Sequence, residues 1–170
     1  ELGRLDESEA SYTKAIALKP DFAEAHYNLG VTLQELNRLD QAEASYTQAI
    51  SLKPDFTDAR RNRWLILFGQ KRYIAALKDA DLCISKGAVE LDLTTLYALG
   101  RTEEIYGRIE TRSKIDPQNI SIAAFAAFFF ESERKSNAYK FCIRPLDLIY
   151  FSNLSYHLKD SNAYITELIK

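Results

Sequence analysis

The sequence predicts an all-α solenoid of helix–turn–helix repeats, with degenerate C-terminal repeats and an irregular connector at its end. Three observations carry this reading. Residues 1–22, ELGRLDESEASYTKAIALKPDF, and residues 35–56, ELNRLDQAEASYTQAISLKPDF, agree at 17 of 22 positions at an offset of 34. Self-similarity at such a period marks a stacked helical array, in which each unit buries its apolar side against its neighbours. Within the second copy, the apolar or small residues Ala42, Tyr46, Ala49 and Ile50 recur at spacings of three and four, a stripe down one side of a helix. Lys53-Pro54-Asp55 then stops that helix, because proline has no N–H to donate and its ring collides with the preceding turn. Pro20 does the same in the first copy.

The elements follow in order. Asp6 with Glu9, and Asp40 with Glu43, read as capping-box-like starts of second helices. The helix 6–19 has no preceding partner, since the chain begins at Glu1. Residues 23–36 form the first helix of the complete unit, and residues 57–68 and 73–85 form the third unit, with Gly87 as its stop. In that unit Arg63 stands where Leu29 stood and Trp64 where Gly30 stood. An indole in place of a crossing glycine implies helices that separate or rotate. Residues 91–99 and 102–114 form a shorter pair closed by Asp116-Pro117; from Pro54 to Pro117 is 63 residues, five short of two periods. Residues 120–131 form a further first helix. Its run from Ile122 to Phe130 is apolar all round and has to bury itself, against the solenoid end or against another domain. After Glu131 the chain turns polar and Pro145 discourages helix; residues 146–154 suit a strand or an extended docking segment, and a capped helix starts at Asp160. The organisation expected is therefore repeats over 1–87, degenerate helices over 88–131, and a connector over 132–170 toward a further C-terminal domain. There is no Met, and both ends fall inside helices, so the chain reads as a piece of a longer protein.

Composition narrows the function. Hydrophobic residues at 46% and charged residues at 27% are ordinary globular values. A net charge of −2 argues against nucleic acid and anionic membrane as partners. No apolar run reaches the roughly 18 residues that span a bilayer. Cys83 and Cys142 form no CxxC, so neither a zinc site nor a disulfide framework is expected. The two histidines, His26 and His157, belong to no hydrolase, metal or phosphate motif. No catalytic residue, metal ligand or cofactor site is expected within the chain.

From Ala23 to Phe56 the pattern Leu29-Gly30, Leu33, Asn37, Leu39, Ala42, Tyr46, Ala49 and Pro54 resembles the tetratricopeptide repeat. The resemblance implies that Gly30, Ala42 and Ala49 sit where two helices cross. It departs at His26, where the family usually has Trp. It also implies a concave face lined by the first helices, and a function in protein or peptide binding or scaffolding. Helix geometry puts Glu24, Tyr27, Asn28, Val31 and Glu35 broadly on one side, with Asp58, Arg61, Asn62, Leu65 and Gly69 as their equivalents. Tyr27, Asn28, Val31, Arg61, Asn62 and Leu65 are thus the candidate peptide-binding groove. Asn28 and Asn62 share one repeat position, and an amide there can both donate to and accept from a peptide backbone. The pair resembles the asparagine ladder of O-linked GlcNAc transferases. A chaperone-type carboxylate clamp is not met, because Tyr27 and Val31 stand where that clamp has Lys and Asn.

The longer stretch from about Asn62 through FCIRPLDLIYFSNLSYHLKDS is similar to aquatic-bacterial proteins in which such repeats precede a 2-oxoglutarate/Fe(II)-dependent oxygenase domain. That resemblance implies a non-catalytic arm whose iron ligands lie beyond Lys170. It leaves open whether the whole protein is an enzyme. The expected partners are another protein or peptide, or the protein's own C-terminal domain. Nucleic acid and membrane are not expected, and the expected location is the cytoplasm.

Overall fold

The 34-residue period of the sequence returns in the hydrogen bonds of the computed structural model, which describes residues 2–83, 91–116, 119, 122–123, 125–126 and 129. The described residues hold α1 (Leu2–Leu18), α2 (Ala23–Glu35), α3 (Leu39–Leu52), α4 (Thr57–Gly69), α5 (Tyr73–Cys83), α6 (Leu91–Ala98) and α7 (Thr102–Ile115), and no strand. They fall into two compact units, Glu1–Arg101 and Thr102–Lys170.

In the first unit, consecutive helices from α1 to α6 make the extensive contacts, as a nearest-neighbour stack requires. The turn after α2 places Asn37 at φ 58°, the turn after α4 places Lys71 at φ 61°, and Gly100 after α6 has φ 68°. Around each, one N–H reaches back five residues: Arg38 to Leu33 O and Arg72 to Leu67 O at 2.8 Å, Arg101 to Leu96 O at 3.0 Å. A second reaches back three, as Asn37 does to Gln34 O. This is the Schellman closure, which satisfies carbonyls that the helix end would leave bare. The turns lie 34 and then 29 residues apart, so the five missing residues fall between Lys71 and Gly100.

The helix starts differ from the sequence expectation. α1 begins at Leu2 and runs straight through Asp6. α3 begins at Leu39 with Arg38 at the N-cap and no side-chain cap bond. Asp40 therefore acts as a charge in the first turn, facing the positive end of the helix dipole, and not as a capping acceptor. α2 and α4 start after Phe22 and Phe56, again without side-chain caps. There the Lys-Pro-Asp-Phe loop braces itself. Phe22 N–H donates to Lys19 O at 3.2 Å and Phe56 N–H to Lys53 O at 3.0 Å, while each lysine's Nζ lies 5.3 Å or 4.8 Å over the phenyl ring.

The core explains both the glycine and its loss. A Cβ on Gly30 would lie 2.6 Å from Cε1 of Tyr46, whose side chain is fully buried. So α2 and α3 close because the aromatic of one lies over the glycine of the other. One period later the pair is Trp64 and Ala80, both buried in one cluster with Leu67 and Ala76. The sequence leads one to expect that α4 and α5 separate or rotate, and the two helices still pack extensively. The bulky ring has changed helices, and alanine takes the space it left. Trp64 stacks on Phe68 at 5.0 Å, and its Nε1–H donates to Thr95 Oγ1 at 2.9 Å, which anchors α6.

In the second unit Ile105 and Ile109 of α7 are buried. Asn119 Oδ1 accepts from Ile122 N–H at 3.0 Å, an N-cap-type bond. Beyond it Ile122, Ala123, Ala126 and Phe129 are buried and Phe125 is half-buried, with the Phe129 ring 5.1 Å from that of Tyr106. No described position of this apolar stretch is exposed. Gly87, Phe128, Phe130 and the whole connector of residues 132–170 lie outside the described residues.

Candidate functional site: the seam between the second and fourth helices

α2 and α4 are the first helices of successive repeats, and α3 passes behind both. Tyr46 on α3 is buried between them in a cluster with Leu33, Ile50, Ala59 and Ile66. Its ring is apolar, but its hydroxyl needs partners. Tyr46 Oη donates to Gln34 Oε1 of α2 at 2.9 Å and accepts from Asn62 Nδ2 of α4 at 3.3 Å. Burial is the main cause that pushes this hydroxyl up to a pKa of about 12, so it stays protonated.

The structure brings the six candidate groove residues onto these two helices but gives them different surroundings. Tyr27 is half-buried, its ring 5.9 Å from Tyr46 and 4.8 Å from Phe56. Val31 is half-buried against the same cluster. These two are largely packing residues. Asn28 is half-buried, and Asn62 is tied to Tyr46. Arg61 is exposed, and Leu65 is 49% exposed. Sequence reasoning missed Gln34 altogether and counted Tyr46 only as core. The signal for Gln34 was weak, since it meets Tyr46 twelve residues away and only through the helix crossing.

A second polar cluster sits one repeat further on. Asp79 of α5 is 1% exposed. Arg63 grips it with two prongs, Nε to Oδ2 at 2.7 Å and Nη2 to Oδ1 at 2.6 Å, and Arg60 Nη1 stands 3.4 Å away. The hydrogen bond to Asp79 raises the pKa of Arg63. Arg63 Nη1 also donates to Thr47 Oγ1 on α3 at 3.0 Å. The cluster is saturated by its own members and knits three helices. In the preceding repeat Leu29 and Ser45 occupy the places of Arg63 and Asp79. His26, in the slot where the family usually has Trp, sits with Nε2 3.0 Å from Pro20 O; its equivalent Arg60 donates from Nη2 to Pro54 O at 2.7 Å. Both hold the loop that the proline begins.

Among the described residues no three His, Cys, Asp or Glu side chains gather as a metal site. Among them, too, no helix is long and apolar enough to cross a membrane. A shallow pocket lined by Arg4, Leu5, Ser8 and Glu35 lies at the C-terminal end of α2.

Comparison with known proteins accords with this geometry. Residues 1–37 match the family model described as TPR repeat, and residues 23–56 match that of the tetratricopeptide repeat. No curated protein matches the chain. Among solved structures, the MamA RS-1 ArsTM double mutant is 16% identical, covering 91% of this chain and 88% of its own, with a TM-score of 0.67. The pilF protein of Pseudomonas aeruginosa is 19% identical, covering 78% of this chain and 63% of its own, with a TM-score of 0.61. YrrB, a TPR protein with an unusual peptide-binding site, is 17% identical, covering 72% of this chain and 66% of its own, with a TM-score of 0.56. Such identities speak to the fold alone. The matches lend no support to the oxygenase resemblance. Residues 1–56 are similar to the tetratricopeptide repeat, and the described helices have the fold of a tetratricopeptide-type solenoid.

Proposed function

We propose that this chain is a protein-binding module that takes a peptide segment of a partner protein along the face shared by α2 and α4. The observation that carries the reading is the seam itself. Equivalent positions of two first helices offer amides, Asn28 and Asn62, beside the exposed Leu65 and Arg61. Apolar surface for affinity and a few placed polar groups for orientation are what a peptide groove needs. The reading gives no residue a catalytic role and calls for no cofactor.

The test is a double substitution, Asn28→Ala with Asn62→Ala, measured against a peptide selected on the chain from a random-peptide phage library. Binding should weaken by about 1–3 kcal/mol as backbone groups of the peptide lose their partners, with helicity by circular dichroism unchanged. Binding indifferent to both changes, yet abolished by charge reversal at Lys78 on the outer side of α5, would place the partner on the other face.

A further inference from the structure

We propose that Asn62, Tyr46 and Gln34 form a polarised relay that reads the N–H and C=O of one residue of the bound segment in a fixed direction, with Tyr46 as its positioning residue. The inference rests on the reading of the seam as a peptide groove, and deepens it by naming what the seam recognises. A hydroxyl has one proton to give. Tyr46 gives it to Gln34 Oε1 at 2.9 Å and receives one from Asn62 Nδ2 at 3.3 Å. Each amide is therefore used at one end and open at the other. Asn62 keeps its Oδ1, an acceptor, and Gln34 keeps its Nε2, a donor. Neither atom is among the buried orphans of the described residues, and both side chains are half-buried, so the open ends reach solvent. An acceptor and a donor flanking one hydroxyl match the N–H and C=O of an extended backbone, and match them in only one orientation.

The relay does not continue along the stack. One period on, the places of Gln34 and Tyr46 are taken by Phe68 and Ala80, which have no polar group to offer, while one period back Tyr12 and Asn28 hold the places of Tyr46 and Asn62. Its flanks are apolar: Val31 lies one turn before Gln34, and Leu65 one turn after Asn62. The occupant is thus an extended segment, its backbone on the relay and its side chains against Val31 and Leu65. A helix would arrive with its N–H and C=O groups already paired.

The experiment uses the full chain and the phage-selected peptide. Each backbone amide of the peptide is N-methylated in turn, and each is exchanged for an ester in turn. One N-methylation should weaken binding about tenfold, the size of one lost hydrogen bond. That penalty should vanish against Asn62→Leu. The ester on the carboxyl side of the same residue, whose carbonyl is the poorer acceptor and whose missing N–H belongs to the next residue and faces away from the relay, should weaken binding several-fold, and that penalty should vanish against Gln34→Leu. Tyr46→Phe keeps the ring over Gly30 and should lower both penalties together. Trp64, the only tryptophan, reports by fluorescence that each variant is folded. If Tyr46→Phe fails to fold, the two leucine variants decide. Penalties that persist in both, or that couple the N-methyl to Gln34 and the ester to Asn62, overturn the relay while leaving the groove standing. A selected peptide that binds as a helix also overturns it. Failure to select any peptide on this face overturns the groove reading itself.

Discussion

Gly30 and Tyr46 share one volume. A methyl on residue 30 would meet the tyrosine ring at 2.6 Å, and that ring is enclosed on every side. Gly30→Ala should therefore lower stability by about 1–3 kcal/mol from overpacking, offset in part by about 1 kcal/mol of better helix propensity. Chemical denaturation checks this; an unchanged midpoint would mean that the ring can retreat. Tyr46 also sets an alkaline limit. Its folded pKa of about 12 lies above the ordinary 10.0, so its contribution is complete below pH 10 and is lost as pH rises toward 12. The loss is at most about 2.7 kcal/mol. Stability measured from pH 9 to 12 should fall less steeply in Tyr46→Phe than in the parent chain. Gly30 was legible in the sequence because its spacing to a stripe of small residues is a local pattern. Trp64 was legible only in part. Its position was read correctly, but its partner was not, because packing belongs to the pair, and Ala80 at the place of Tyr46 holds the other half of the answer.

At the scale of elements, α4 and α5 are joined by an ion pair that their counterparts α2 and α3 lack. Asp79 is buried, so removing its main partner leaves a carboxylate with only Arg60 at 3.4 Å. Arg63→Leu alone should cost about 3–5 kcal/mol. Adding Asp79→Ser restores the Leu29 and Ser45 combination of the preceding repeat and should recover most of that loss. A double-mutant cycle on melting checks the coupling, and additive losses would show that Arg63 acts through Thr47 instead. Surface pairs should matter far less. Arg38 with Glu9, and Arg72 with Glu43, repeat the same 2.6 Å contact one period apart, but their arginines are 41% and 50% exposed to water. Helix existence was read well from the proline stops and apolar spacing. Helix starts were not, because Asp6 and Asp40 look like caps to a reader of single residues. The Schellman turn before α3 fixes its start through backbone bonds, with Asn37 taking the positive φ.

Over the whole chain, stability should be graded. No described side chain of α1 is buried, whereas α3, its near-copy, buries Ala42, Tyr46, Ala49 and Ile50. A nearest-neighbour stack frays from such an end. Amide hydrogen exchange should be fastest in α1 among α1 to α5, and the greatest protection there would refute the expectation. The candidate site was half legible for a related reason. Asn28 and Asn62 announce themselves by their period. Gln34 and Tyr46 come together only because two helices cross, and a crossing leaves no mark in the order of residues. The exchange of ring and space between Gly30–Tyr46 and Trp64–Ala80 has a consequence for how the chain finds its register. α1 and α3 are nearly the same text, and each could bid for the place of the other while the protein folds. α5 cannot be mistaken for either. Only it brings an alanine to the indole and a carboxylate to Arg63, so a mispaired α4 would face a clashing ring at one position and a bare guanidinium at another. The repeat that departs from its two predecessors is the one that tells them where they belong.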